Sequence, residues 1–152
     1  MSISRSRPLR SAGTLSLLLL LVVGVLLVMS LPAEAKRRDD IPPSFAGLKS
    51  ATTCIPGPIG GGGRTAAYNL SWDAATDNVS PSKRIVYDVY QAETPGGQDF
   101  STPSYTTSAG ATSFTTPPLP ADKYFYFVVR ARDQAGNSDS NTVEREGQNL
   151  CV

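Results

Sequence analysis

The chain has 152 residues, with 14 Lys and Arg against 13 Asp and Glu, two cysteines and no histidine. Without histidine there is no Ser-His-Asp or Cys-His catalysis, no His-ligated zinc and no imidazole switch near neutral pH. The length suits one ordinary domain. The near balance of charge argues against nucleic acid or an anionic membrane as the main partner, since both call for a clustered positive field.

In chain order, Arg5, Arg7 and Arg10 precede an apolar run from Leu15 to Val28, followed by Pro32 and the small-x-small triplet Ala33-Glu34-Ala35. A basic start, an apolar stretch and a small-residue cleavage site are the three parts of a secretory signal peptide. Residues 1–35 are therefore expected to be removed by a cut between Ala35 and Lys36. Pro32 would end the apolar helix just before that cut. The alternative is a retained anchor, because extension to Leu31 gives about seventeen residues, the lower limit for spanning a bilayer. No cysteine stands at the end of the apolar run, which argues against a bacterial lipid anchor. The remaining 117 residues carry eleven basic and twelve acidic side chains, so the formal charge moves from +1 to −1. Residues 36–40, Lys36-Arg37-Arg38-Asp39-Asp40, read as a solvated charged leader.

Export places Cys54 and Cys151 in an oxidising compartment, where they are expected to pair. Such a bridge closes a loop of about a hundred residues and contributes up to about 4–5 kcal/mol in the chain-entropy model. Two free buried thiols or an intermolecular bridge are the alternatives. No Cys-x-x-Cys suggests redox activity.

Beyond the leader there is no helical periodicity. Tyr68, Leu70 and Trp72 alternate with polar residues, Ile85 to Tyr90 form a second run, and Phe125, Phe127, Val129 and Ala131 form a third. Weaker runs lie at Phe45–Leu48, Ser104–Thr107, Ser113–Thr116 and Asn141–Glu144, with turn signals between them at 76–78, 94–97, 117–120 and 133–137. A period of two with β-branched and aromatic residues predicts strands. About seven short strands in a hundred residues predict an all-β, seven-stranded antiparallel β-sandwich.

Four segments carry a family resemblance: Asp40-Ile41-Pro42-Pro43, Leu70-Ser71-Trp72-Asp73-Ala74-Ala75-Thr76-Asp77-Asn78-Val79, Tyr87-Asp88-Val89-Tyr90, and Tyr126 through Asn137 with its Arg130-Ala131-Arg132-Asp133 centre. In this order they resemble a fibronectin type III domain, an immunoglobulin-like superfold, in the form found in secreted bacterial multimodular proteins. The resemblance covers residues 41–152. It implies a spacer, adhesion or binding scaffold rather than one function. It also implies a tyrosine opening the sixth strand, whose hydroxyl bonds back to the preceding loop. That position here is Phe125, which has no hydroxyl to offer.

Parity places Val86, Asp88 and Tyr90 on one outer face beside Tyr124, Tyr126, Val128, Arg130 and Arg132. Tyrosine and arginine are the residue types that dominate binding hot spots, so Tyr90, Tyr124, Tyr126, Arg130 and Arg132 are the candidate binding face. Ordinary cross-strand pairing is the competing account. The glycines at 60–63 lack the following Lys and Ser or Thr of a phosphate loop and read as a flexible connection. Asp73, Asp77 and Asn78 face Asp133, Asn137 and Asp139 at one pole of such a sandwich, as calcium would require. Each also serves as a turn nucleator, and that simpler reading is preferred, with neither metal nor cofactor expected. No nucleophile and base can be paired. The expected function is a non-enzymatic interaction or adhesion module at the cell surface or envelope, with a protein or glycan partner. A carbohydrate-binding protein stacking sugars on Tyr90, Tyr124 and Tyr126 is the alternative, and a small secreted enzyme comes last.

Overall fold

The computed structural model describes residues 38–54 and 63–150. The signal segment, its cleavage point between Ala35 and Lys36, glycines 60–62 and Cys151 lie outside the described residues. The chain divides into two units, Met1–Arg37 and Arg38–Val152, and everything described belongs to the second.

The described chain is all-β, with ten short strands and a single 3-10 turn at Ser82–Arg84. One sheet has the order β10-β1-β3-β6, from strands β1 (Ser50–Thr53), β3 (Asn69–Ser71), β6 (Ser113–Thr115) and β10 (Gln148–Asn149). The second has the order β5-β4-β8-β9, from β4 (Val86–Ala92), β5 (Tyr105–Thr106), β8 (Tyr126–Arg132) and β9 (Glu144–Glu146). A two-stranded ribbon joins β2 (Thr65–Ala66) to β7 (Leu119–Pro120). Strand pairing is antiparallel except between β1 and β10.

The expected seven strands thus become sheets of four, two and four. The three strong runs are β3, β4 and β8, and β5 and β6 fall within two of the weaker ones. The run Phe45–Leu48 is not a strand: an isolated bridge joins Ser44 to Thr76, and the first strand begins at Ser50. Pro42 and Pro43 have no N–H to give a ladder, and Gly47 takes a left-handed φ of 86°. Phe45 and Leu48 nevertheless pack into the core. The turn expected at 117–120 holds the short β7, where Pro120 sits in an edge ribbon that tolerates its missing donor. The run 141–144 forms a strand only from Glu144, because the Asn141 side chain bonds locally to the Val129 carbonyl at 3.0 Å and accepts from the Val143 N–H at 3.1 Å.

Both four-stranded sheets contribute to one core. Ala51 and Leu70 come from the first sheet, and Tyr87, Val89, Phe127, Val129 and Ala131 from the second. Tyr68 packs its ring on Phe125 and Phe127 at 5.8 and 5.4 Å. Trp72 lies 5.2 Å from the Tyr87 ring and donates its indole N–H to the Ala111 carbonyl at 3.0 Å. Phe125 occupies the expected inward position and is buried. A different tyrosine makes a hydroxyl bond to a loop: the buried Tyr87 accepts the Ala75 N–H at 2.8 Å.

Gly147 is the pivot at which the chain leaves β9 in one sheet and becomes β10 in the other. Its N–H bonds to the Phe125 carbonyl at 2.9 Å. A Cβ there would lie 2.2 Å from Cε1 of Tyr68, so only glycine lets the backbone cross beside that ring.

Candidate functional site

The alternation of β4 and β8 turns Ile85, Tyr87 and Val89 inward and leaves Asp88 and Tyr90 on the outer face with Val128, Arg130 and Arg132. Register fixes the neighbours: Asp88 faces Arg130, Tyr90 faces Val128, and Ala92 faces Tyr126. The residue face is the one that parity predicts. Its accessibility is different.

The connection between β4 and β5 covers this face. Phe100 places its ring 5.1 Å from that of Tyr90 in an edge contact, and the Arg130 guanidinium lies 3.6 Å from the Phe100 ring centre and 5.7 Å from that of Tyr90. Cation–π attraction favours both contacts, and Arg130 also donates from Nε to the Asn141 carbonyl at 3.0 Å. Tyr90 is only 6 % exposed and Val128 is fully buried. Burial first, and then the nearby Asp88 charge, push the Tyr90 hydroxyl above its ordinary range. Tyr90 therefore has no open ring face for a ligand, and its place in the candidate binding face is corrected. Phe100, one apolar ring in the polar stretch Gln98 to Thr102, is the available clue that a loop folds back on the sheet.

Arg132 is also engaged. Its Nε and Nη2 donate to the Asp88 carboxylate at 2.8 and 3.1 Å, and the Thr106 hydroxyl donates to the same carboxylate at 2.7 Å. Burial alone would raise the Asp88 pKa, but the Arg132 and Thr106 hydrogen bonds and the Arg132 charge bring it below the ordinary value. The Asp88 side chain is 5 % exposed, so losing its partner strands a buried charge. A depressed folded-state pKa gives stability that is fully present above the unfolded value of about 4 and is lost as pH falls through the folded value. Asp88→Asn is accordingly expected to be less stable than the parent at pH 7, with the gap closing below about pH 4. Urea unfolding midpoints measured at pH 7, 5 and 3 check this.

Tyr124 and Tyr126 occupy the open end of the face. Tyr124 is 69 % exposed and Tyr126 is half-buried. Burial, then the Glu146 and Glu144 charges, push the Tyr126 hydroxyl upward, so it is a neutral donor at physiological pH. Tyr124 lines an open cleft of 660 Å³ together with Thr53, Asp122, Lys123, Glu146 and Asn149. The Tyr124 ring is exposed beside these polar residues, while the Lys123 ammonium is paired with Glu93 at 2.7 Å. The sequence pattern singles out Tyr124 but none of these polar neighbours, and Glu146 and Asn149 reach it only through the crossing at Gly147.

At the opposite kind of feature, the polar loops, the turn reading accounts for several groups. Asp77 accepts the Val79 and Ser80 N–H groups at 2.9 and 2.7 Å, Asp133 accepts that of Asn137 at 2.8 Å, and Asp139 binds the Ala131 N–H and, at 2.9 Å, that of Asn141. Asp73 pairs with Lys49 at 3.1 Å. Asp39, expected in a solvated leader, is instead docked: its main-chain carbonyl accepts from the Asn137 amide at 3.1 Å and its carboxylate from Ile41 at 3.3 Å and Asn78 at 3.5 Å.

Comparison with models of known protein families, with curated proteins and with solved structures finds no match.

Proposed function

We propose that this chain is an exported, non-enzymatic fibronectin type III-like β-sandwich that binds a protein partner at the cell surface or envelope through the Tyr124 cleft. The observation that carries this reading is the exposed Tyr124 ring on the rim of a cleft with mixed charge, while Tyr90, Arg130 and Arg132 are held by neighbours. Tyrosine is among the residue types enriched at protein-binding hot spots, and a ring on the rim of a cleft offers a partner an anchor. The sandwich part of the reading is supported by strand sharing. β1, β3 and β6 lie in one sheet and β5, β4, β8 and β9 in the other, which suits the immunoglobulin-like division of strands. Export is supported by the residue pattern of 1–35. Among the described residues no helix is long and apolar enough to cross a membrane.

Sugar stacking on Tyr124 and Tyr126 is the second reading, favoured by the same free ring and its carboxylate and amide neighbours. A photo-crosslinking residue placed at 124, with one at exposed Asp99 as control, tests the first on intact producing cells. The expected result is a discrete protein adduct from position 124 only, and Tyr124→Ala should weaken binding of the captured partner by at least about thirtyfold. Equal or absent adducts at both positions sink the protein reading. Binding on a glycan array that disappears with Tyr124→Ala and Tyr126→Ala establishes the second.

A further inference from the structure

The three carboxylates of Asp39, Asp77 and Asp133 converge from segments far apart in sequence, and one oxygen from each lies within 4.8 Å of the others. Among the described residues the ion pairs are Lys49 with Asp73, Lys123 with Glu93 and Arg132 with Asp88, so none of them neutralises this trio. Like charges at such range repel strongly once water is excluded, and Asp133 is only 4 % exposed. The decisive observation concerns two atoms. Oδ2 of Asp39 and Oδ1 of Asp77 are sealed from solvent, and no donor reaches either. The other carboxylate oxygens of the trio meet loop donors: Val79 and Ser80 N–H to Oδ2 of Asp77, Ile41 N–H and the Asn78 amide to Oδ1 of Asp39, and the Asn137 N–H and amide to the two oxygens of Asp133. Those contacts use one oxygen of Asp39 and one of Asp77 and leave the other sealed from solvent without a donor. A buried carboxylate oxygen without a donor costs free energy unless something positive meets it.

We infer that Asp39, Asp77 and Asp133 form a divalent cation site that takes calcium. The oxygen-only donor set selects a hard cation. Oxygens held at about 2.3–2.6 Å from calcium span up to about 5 Å across the ion, so three oxygens within 4.8 Å of one another can share it, and calcium accepts an irregular set where magnesium demands a near-ideal octahedron. Carbonyl groups and water complete the six to eight ligands that calcium takes. The ion clamps the entry segment at Asp39 to the loop after β3 and the loop after β8. Asn137 already bridges two of these by donating to the Asp39 carbonyl. The cation site is independent of what the Tyr124 cleft binds.

Calorimetric titration of the purified, chelator-stripped protein with calcium chloride, paired with thermal unfolding in calcium and in chelator, is the test. The expected result is one calcium per chain and a Tm that rises with calcium. Asp39→Asn and Asp77→Asn should each lower calcium affinity by at least about tenfold. Both should melt in chelator no lower than the parent, since asparagine keeps an oxygen acceptor for the turn and removes repulsion. Asp73→Asn, an equal change of charge outside the site, should bind as the parent does. Absence of binding and of any Tm response up to about 10 mM calcium overturns the site. So does binding that survives unchanged in both variants, an equal loss in Asp73→Asn, or magnesium binding as tightly as calcium.

Discussion

Replacing Trp72 with alanine is expected to destabilise the domain by about 3–5 kcal/mol, the range for removing a buried large aromatic. Trp72 is 3 % exposed and follows β3 in the first sheet, yet its ring rests on Tyr87 of the second. Truncation removes the transfer free energy of the indole and leaves a void, and Tyr87 loses one wall while Phe45 still packs against it at 5.2 Å. The Ala111 carbonyl also loses its indole donor, a further cost of about 1–3 kcal/mol if water does not reach it. Trp72→Phe separates the contributions, because it keeps a ring against Tyr87 and removes the donor. It should fall between parent and alanine. Urea unfolding checks both: the midpoint should drop while the slope stays constant. A Trp72→Ala midpoint within error of the parent would show that the two sheets do not share this core. Domains of this size are stable by about 5–15 kcal/mol, so the alanine variant should unfold partly at growth temperature.

What is legible in the sequence follows from which physical rule governs each element. The strong period-two runs become β3, β4 and β8 because alternation decides which side chains reach the core, and the same parity assigns Tyr87 and Val89 inward and Asp88 and Tyr90 outward, as found. Parity says nothing about what covers a face. Alone it leaves Tyr90 on the surface, although Phe100 and Arg130 close over it from a loop and from the neighbouring strand. The ribbon of β2 and β7 and the terminal β10 are two-residue pairings, too short for periodicity to register. Asp39 shows the same limit for the cation site. Asp77 and Asp133 can be placed near one pole from the topology of the resemblance. The third carboxylate lies in a charged leader whose docking depends on long-range bonds to Asn78 and Asn137. Gly147, which brings Glu146 and Asn149 to the Tyr124 cleft, carries no local signal beyond a glycine near the end of the chain.

Cys151→Ser is the second large effect, with an expected loss of up to about 4–5 kcal/mol from a loop of about a hundred residues in the chain-entropy model. The described residues supply the geometry that favours this pairing. β10 runs parallel to β1, Thr53 is the partner of Asn149, and the Leu150 N–H donates to the Thr53 carbonyl at 3.0 Å. The residue after Thr53 is Cys54 and the residue after Leu150 is Cys151. Cys54 thus follows directly on a paired position of β1, and it is not a free thiol. Strand β10 is only two residues long and has β1 as its single strand partner, so hydrogen bonding alone holds it weakly. A covalent tie to Cys54 would fix it, together with the Gly147 crossing and the cleft wall formed by Gln148 and Asn149. Intact mass with and without reductant should differ by about two daltons, the two hydrogens that one bridge lacks. Alkylation before reduction should label no cysteine. Two labelled thiols would refute the bridge. Cys54→Ser and the double variant should lose as much as Cys151→Ser, because each removes the same single constraint, and full additivity of the two single losses would show that the cysteines act separately.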